Sequence, residues 1–528
     1  MLVPSTSALR GRRLLVALLP LLLALGGCAL GGEDSRALPS PSLSPSPLES
    51  ADPSEEPVPD DPGRDPALRR YYEQDLGWNP CREQFECARI DVPLDYDRPS
   101  RAKISLSLLK VPASDQSQRV GSLVVNPGGP GASGIEYAAR ASTTFGTEVQ
   151  QAFDIVGFDP RGVGESTPVD CVADQRLDAF VAYDPDPDTA AERGQADRLL
   201  REFGRGCAQE SGQLAAHIST VEAVRDIDII RELLGDAELS FFGASYGTLL
   251  GATYADLFPD RVGRMVLDGA IDPSLSNREK SLVQAESFET ALRAYVGACV
   301  DRGSCFLGDS VDAGAQRIRA FLDEVEQDPL EVAGGRTLEA GNAVLGIWYP
   351  LYDQSSWPIL DSALQSAFAG DGSTLLSIAD AYVSRGPDGY LDNSLEALYA
   401  ISCLDTEDTI AMGQAPAVVD EFEEVSPTFG AIFAYGLAGC SDWPFEAERK
   451  PAAPDAAGAK PILVIGTSRD PATPLEWAEA LSSQLESGVL VRRDGDGHTG
   501  YHRGNECVDD VVESYLVSGE VPRSPVDC

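Results

Sequence analysis

The sequence predicts a doubly wound α/β fold: a mostly parallel sheet with helices on both faces, interrupted by a mostly helical insertion. Three observations predict it. Short apolar runs without polar alternation, such as Leu123-Val124-Val125 and Ile462-Leu463-Val464-Ile465, suit parallel strands buried on both faces. Helix-period stretches, notably residues 221–234, alternate with those runs. Between residues 271 and 450 strand-like runs become scarce, and residues 284–300, 312–325 and 374–383 carry helical periodicity instead.

The chain opens on processing sequence. Arg10, Arg12 and Arg13 precede an apolar stretch over residues 14–25, too short for a stable membrane span. Leu25-Gly26-Gly27-Cys28 resembles the lipobox of bacterial lipoproteins, which implies a signal peptide over residues 1–28 and a lipidated Cys28. An ordinary signal peptide cleaved near Gly27 is the alternative. Residues 29–66, rich in Pro, Ser and acidic residues, bury too little apolar surface to offset chain entropy and read as a disordered linker. The first part of the α/β core is expected over residues 67–270, a helical lid over 271–450 and the C-terminal part of the core over 451–528.

Within the first part, residues 88–94 and 103–109 alternate apolar and polar side chains, as an antiparallel hairpin does. Residues 122–126, 153–158, 239–244 and 264–268 follow as strands, and residues 461–466 and 488–492 are the last two. The lid segment holds a group of aromatics, Trp348, Tyr349, Tyr352 and Trp357, which suit either its own core or the wall of a substrate pocket.

Acidic residues number 84 against 41 Lys and Arg, a formal charge of −43. Phosphate-rich surfaces are repelled by such a chain, so nucleic acid is excluded as a partner and a membrane is reached only through the lipid on Cys28. Of eleven cysteines, ten remain beside Cys28, in sequence-adjacent couples: Cys81 and Cys87, Cys171 and Cys207, Cys299 and Cys305, Cys403 and Cys440, Cys507 and Cys528. An even set in an exported chain reads as disulfides, whose connectivity stays open. No Cys-x-x-Cys occurs and only His498 and His502 lie close together, so neither a metal site nor a cofactor is expected. An extracytoplasmic location follows.

The chemistry centres on Gly243-Ala244-Ser245-Tyr246-Gly247, between an apolar strand and a helix-like stretch. Strand, sharp turn and helix around Gly-x-Ser-x-Gly form a nucleophile elbow. A serine needs a base to take its proton and a third group to orient that base. His498, in a glycine-rich turn after the last strand, is the candidate base. His217 precedes the serine, and His502 is expected at the start of the closing helix as a surface or supporting residue. Asp470, just past the penultimate strand, is the candidate acid, with Asp268 at the end of the strand after the elbow as its rival; Thr473 either positions Asp470 or caps a helix. The loop Asn126-Pro127-Gly128-Gly129-Pro130-Gly131 follows an early strand, where backbone N–H groups meet a developing oxyanion. The N–H groups of Gly129 and Tyr246 are assigned to that hole.

Together with Gly157-Phe158-Asp159-Pro160-Arg161-Gly162-Val163-Gly164 and Gly497-His498-Thr499, these motifs resemble the α/β-hydrolase tripeptidyl aminopeptidases, secreted or lipid-anchored actinobacterial enzymes related to proline iminopeptidases. Pro127 stands where iminopeptidases carry histidine in His-Gly-Gly-Pro-Gly, which favours the tripeptidyl branch. The resemblance implies an α/β-hydrolase core and a serine exopeptidase taking peptides with a free N-terminus, whose ammonium is held by acids near the lid. Asp405 and Glu407, with Asp408 beside them, are the candidates, a solvated acidic loop being the alternative. An esterase with the same triad is a second reading, and a non-catalytic binding module a third.

Overall fold

A computed structural model describes residue 63 and residues 65–528 apart from 83 and 333. The expected signal peptide, the expected lipidation site Cys28 and nearly all of the expected linker lie outside the described residues. The chain builds a ten-stranded sheet from β1 (Asn79–Cys81), β2 (Phe85–Pro93), β3 (Lys103–Val111), β4 (Gly121–Asn126), β5 (Phe153–Phe158), β6 (Leu239–Ala244) and β7 (Val262–Asp268). After two small hairpins, β8 (Leu330–Glu331) with β9 (Thr337–Leu338) and β10 (Arg385–Gly386) with β11 (Gly389–Tyr390), the sheet resumes in β12 (Ile462–Arg469), β13 (Gly488–Asp496) and β14 (Val526–Asp527).

Strand order is β1-β2-β3-β5-β4-β6-β7-β12-β13-β14. The first four strands in that order pair antiparallel; from β5 onward every pairing is parallel. The apolar runs explain the parallel part. Successive side chains point to opposite faces, so Phe241 and Leu267 enter one core while Phe242 and Val266 enter the other. Burying one such Phe contributes roughly 1.5–3 kcal/mol. Helices Thr220–Leu234, Tyr246–Leu257 and Leu475–Gln484 cover the first face, through residues such as Ile227, Leu250 and Trp477. Helices Gly134–Ala139 and Glu506–Ser518 cover the second, with Ile135, Val508 and Val512.

Between β7 and β12 the chain is helical apart from the two small hairpins. Its longest helices, Asn277–Asp301 and Val311–Gln327, enclose a core of their own with Ala340–Leu351 and Trp357–Phe368. Trp348, Tyr352 and Trp357 are buried in that core and Tyr349 packs against it, so these aromatics chiefly hold the insertion together. Five disulfides close the five sequence-adjacent couples. No helix among the described residues is long and apolar enough to cross a membrane.

The segment 157–164 ties the sheet to the loops above it. Arg161 is fully buried and its guanidinium meets both oxygens of buried Asp226 at 2.7 Å. It also donates to the carbonyls of Pro93, Leu94 and His217, and Tyr96 donates to Asp226. A buried pair satisfied on every side is costly to break by removing one partner. Asp159 accepts from the Ser133 hydroxyl at 2.6 Å and from the Glu165 N–H at 2.8 Å, joining the loop after β5 to the start of helix Gly134–Ala139.

Candidate active site

Ser245 lies between β6 and helix Tyr246–Leu257 with φ 55° and ψ −125°, a backbone conformation that L-residues seldom adopt. The turn is held by crowding. A Cβ on Gly247 would come within 2.6 Å of the Asn126 carbonyl oxygen, so the elbow and the end of β4 touch only because that position is glycine. On the other side Gly128, at φ +96°, packs against the elbow itself. A Cβ there would meet the Ala244 carbonyl oxygen at 2.4 Å, the Tyr246 nitrogen at 2.8 Å and Ser245 Cβ at 2.9 Å. The Gly128 N–H donates to Asn126 Oδ1 at 2.9 Å, which holds the turn of the loop itself. The loop that carries Gly129 therefore lies over Ser245 and the Tyr246 N–H.

Asp470 and His498 come together directly. His498 Nδ1 is 2.9 Å from each Asp470 oxygen, and both side chains are buried. The carboxylate accepts, so Nδ1 carries the proton and Nε2 is left to act as a base. Asp470 also accepts from the N–H groups of Ala472, Thr473 and Thr499 and from the Thr473 hydroxyl at 3.1 Å. Thr473 Oγ1 stands 3.2 Å from His498 Nδ1 as well, which places it beside the pair; the N-cap of helix Leu475–Gln484 is Pro474.

Asp268 has a different place. Its carbonyl accepts the Ser245 N–H at 2.9 Å, and its carboxylate accepts the N–H groups of Gly500 at 2.7 Å and Tyr501 at 2.9 Å. Burial pushes this carboxyl up to about 6, against the pull of those N–H groups and of His498. Asp268 thus clamps the segment just after His498 to the strand beside the elbow. Among the described residues Ser245 is linked to His498 through this clamp and not by a direct side-chain hydrogen bond. His502 lies in the turn before helix Glu506–Ser518, at φ 56°, instead of at the helix start, and its ring is 3.4 Å from Glu513. The glycine-rich 497–504 segment turns further than its sequence spacing suggests.

Comparison with known proteins places the chain in a family. Residues 426–528 match a family described as TAP-like protein. Serine protease Hip1 of Mycobacterium tuberculosis is 35% identical over 484 residues, covering 86% of this chain and 91% of that protein. Carboxylesterase B of the same organism is 35% identical over 468 residues, 85% and 89% of the two chains. Tripeptidyl aminopeptidase of Streptomyces lividans is 30% identical over 479 residues, 88% of each. The chain belongs to the tripeptidyl aminopeptidase-like α/β-hydrolases. It is a serine hydrolase, and its five disulfides place this TAP-like protein outside the cytoplasm.

In this TAP-like hydrolase the helical insertion touches the site from two directions. The His498 N–H donates to the Tyr352 carbonyl at 2.8 Å, and the Tyr352 ring stands edge-on to the imidazole with centroids 5.3 Å apart. Beside Tyr246 a cavity of about 570 Å³ is bounded by Pro130, Asn277, Lys280, Asp405 and Glu407. Asp405 faces away from a purely solvated role: it accepts from the Thr220 N–H at 3.1 Å and the Thr220 hydroxyl at 2.6 Å, and that hydroxyl also bonds the Tyr246 phenol. Burial pushes Asp405 up to about 7, with the Thr220 hydrogen bonds and then Lys450 and Lys280 drawing it back. Glu407 is exposed at the cavity wall and Asp408 half-buried beside it. Thr220, the contact of Tyr352 with His498 and the clamp at Asp268 were not apparent from sequence: each acts through contacts with distant segments. Among the described residues, Asp184, Glu192 and Glu326 bring ligand atoms within 4.8 Å of one another, but this acid group shares no member with the site.

Proposed function

We propose that this protein is a serine exopeptidase that releases short peptides, tripeptides by the reading its relatives support, from free N-termini. The observation that carries the reading is the buried His498–Asp470 pair at 2.9 Å, clamped to a strained serine elbow. Ser245 Oγ attacks the scissile carbonyl carbon while His498 Nε2 takes its proton, and Asp470 stabilises the imidazolium. The N–H groups of Gly129 and Tyr246 donate to the oxyanion as the carbonyl π-bond opens. Collapse expels the amine, which takes the proton from His498, and leaves an acyl-enzyme that water cleaves with His498 again as base. The acids of the cavity beside Tyr246, Asp405 and Glu407, supply negative charge for the substrate ammonium. The lipobox-like Leu25-Gly26-Gly27-Cys28 supports anchoring at Cys28 after removal of a signal peptide.

The relative named carboxylesterase B favours a second reading, hydrolysis of small acyl esters by the same residues. One comparison separates the two. A tripeptide amide with a free amine, its N-acetylated form and a short-chain ester are offered to wild type and to Ser245→Ala. The exopeptidase turns over the free amine and loses the blocked peptide, while Ser245→Ala stays folded and is inert. Turnover of the ester alone would make the protein an esterase. Full activity of Ser245→Ala, or no labelling of Ser245 by a fluorophosphonate, would remove the serine mechanism.

A further inference from the structure

The cavity beside Tyr246 holds a cation that the hydrolysis proposed above does not employ. Lys280 is half-buried on helix Asn277–Asp301 and lines the cavity. Among the described residues its ammonium makes no ion pair and no hydrogen bond. That is unexpected in a chain with 84 acidic residues against 41 Lys and Arg. The neighbouring charged groups are engaged elsewhere. Asp272 accepts from the Ser274 N–H, the Ser274 hydroxyl and Gln484. Asp405 is engaged with Thr220, and Lys450 donates to the Thr406 carbonyl. Asn277, more than nine-tenths buried, lines the same wall; its Nδ2 donates to the Asp408 carbonyl at 3.1 Å and its Oδ1 has no partner among the described residues. Burial pushes the Lys280 ammonium below the ordinary lysine range, and Asp272 and Asp405 pull it back without touching it. An ammonium on the wall of a cavity, with no ion pair of its own, is available to a charged partner.

We infer that Lys280 receives a carboxylate of the substrate, so that the cavity selects peptides with an acidic side chain in the segment N-terminal to the cut. The inference rests on the exopeptidase reading and names the substrate class within it. Glu407 and Asp408 come from the loop after helix Ser394–Asp405, and Lys280 from helix Asn277–Asp301. A cavity of about 570 Å³ with acids on one element and a free ammonium on another suits a ligand that carries both an ammonium and a carboxylate. Tyr246 and Pro130 in the same lining put that ligand next to the elbow and the glycine loop. A carboxylate delivered there gains a charge-assisted hydrogen bond, whereas a lysine side chain meets like charge.

The test uses fluorogenic tripeptide substrates with free N-termini: a neutral parent, and forms with Glu or Lys at the first, second or third residue. Wild type is expected to favour Glu over the neutral parent at one of these positions by roughly tenfold in kcat/KM, the size of one charged hydrogen bond. Lys280→Met is expected to remove that preference while keeping turnover of the neutral parent, and Lys280→Glu to favour the Lys substrate. Turnover of the neutral parent with no preference for Glu at any position overturns this inference and leaves the exopeptidase reading standing. So does a preference for Glu that survives in Lys280→Met. If no peptide is cleaved while the ester is, both readings fall together.

Discussion

Two aspartates flank His498, and their hydrogen bonds separate their tasks. Asp470 faces the imidazole itself, with both oxygens at 2.9 Å from Nδ1. Asp268 accepts from the backbone of Gly500 and Tyr501 and so holds the segment, not the ring. Removing charge at Asp470 leaves the imidazolium unsupported and the tautomer unfixed, which costs on the order of 10⁴ in kcat in triads of this type. Removing it at Asp268 misplaces a loop whose ring contacts persist. We therefore expect Asp470→Asn to lower kcat far more than Asp268→Asn, with folding of both checked by circular dichroism. The opposite ranking would make Asp268 the triad acid. Both candidates were visible in the sequence, because each ends a strand of the sheet. Asp470 was the expected acid and is the one that aims at the ring; the contact itself depends on where a loop 28 residues downstream of Asp470 returns. Gly128 was hidden behind its neighbour Gly129: a run of glycines announces close approach without saying which one makes it.

At the scale of elements, the parallel strands were legible because burial on both faces leaves apolar runs that little else produces. Helices Asp174–Ala182 and Ala190–Glu210 were not picked out. The second buries only Ala196, Phe203, Gly204 and Cys207 of its 21 residues, so its periodic signal is diluted by charged side chains. The helix Ser394–Asp405 shows what an element does here beyond filling space. Its last residue, Asp405, reaches Thr220, and Cys403 anchors the same turn to Cys440 across 37 residues of chain. Closing a loop of that length stabilises by roughly 3–4 kcal/mol in the chain-entropy account. The Cys403→Ser, Cys440→Ser double variant should accordingly melt several degrees lower and show a higher KM with kcat changed less, because Asp405 is released while the triad is untouched. An unchanged KM at saturating folding conditions would show that the disulfide has no bearing on the cavity.

For the whole molecule the dominant quantity is negative charge. With a formal charge of −43, carboxylates repel one another as they ionise, and several are buried where ionisation is opposed. Burial pushes Asp268 up to about 6, Asp405 up to about 7 and Asp184 up to about 8, from an ordinary aspartate near 4. The sign follows from proton counting. Above the unfolded value and below the folded one, the native state binds more protons than the unfolded chain, so stability falls as pH rises through about 4 to 8. His217, raised chiefly by its hydrogen bond to Glu222, acts in the same direction, its contribution being lost at higher pH. Asp154, against its burial, is lowered by the Ala113 N–H and then Arg119, and Asp178 by Arg385; both protect against unfolding until pH drops below the ordinary carboxylate range. Thermal unfolding at constant ionic strength should thus give a Tm at pH 5 above that at pH 8 by roughly 2 °C or more. A Tm that climbs steadily to pH 8 would contradict this. Composition disclosed the charge at once; the individual buried acids became apparent only when distant segments closed around them.

The hydrogen bond from the His498 N–H to the Tyr352 carbonyl carries a consequence for redesign. The helical insertion is the natural part to exchange when a different substrate is wanted, since it walls the cavity. In this protein an exchange would also withdraw a support of His498, so the wall of the cavity and the His498–Asp470 pair are mechanically coupled. A chimera that keeps its rate must import the turn around Tyr352 and the turn around His498 as a matched pair, even though the two lie almost 150 residues apart in the chain.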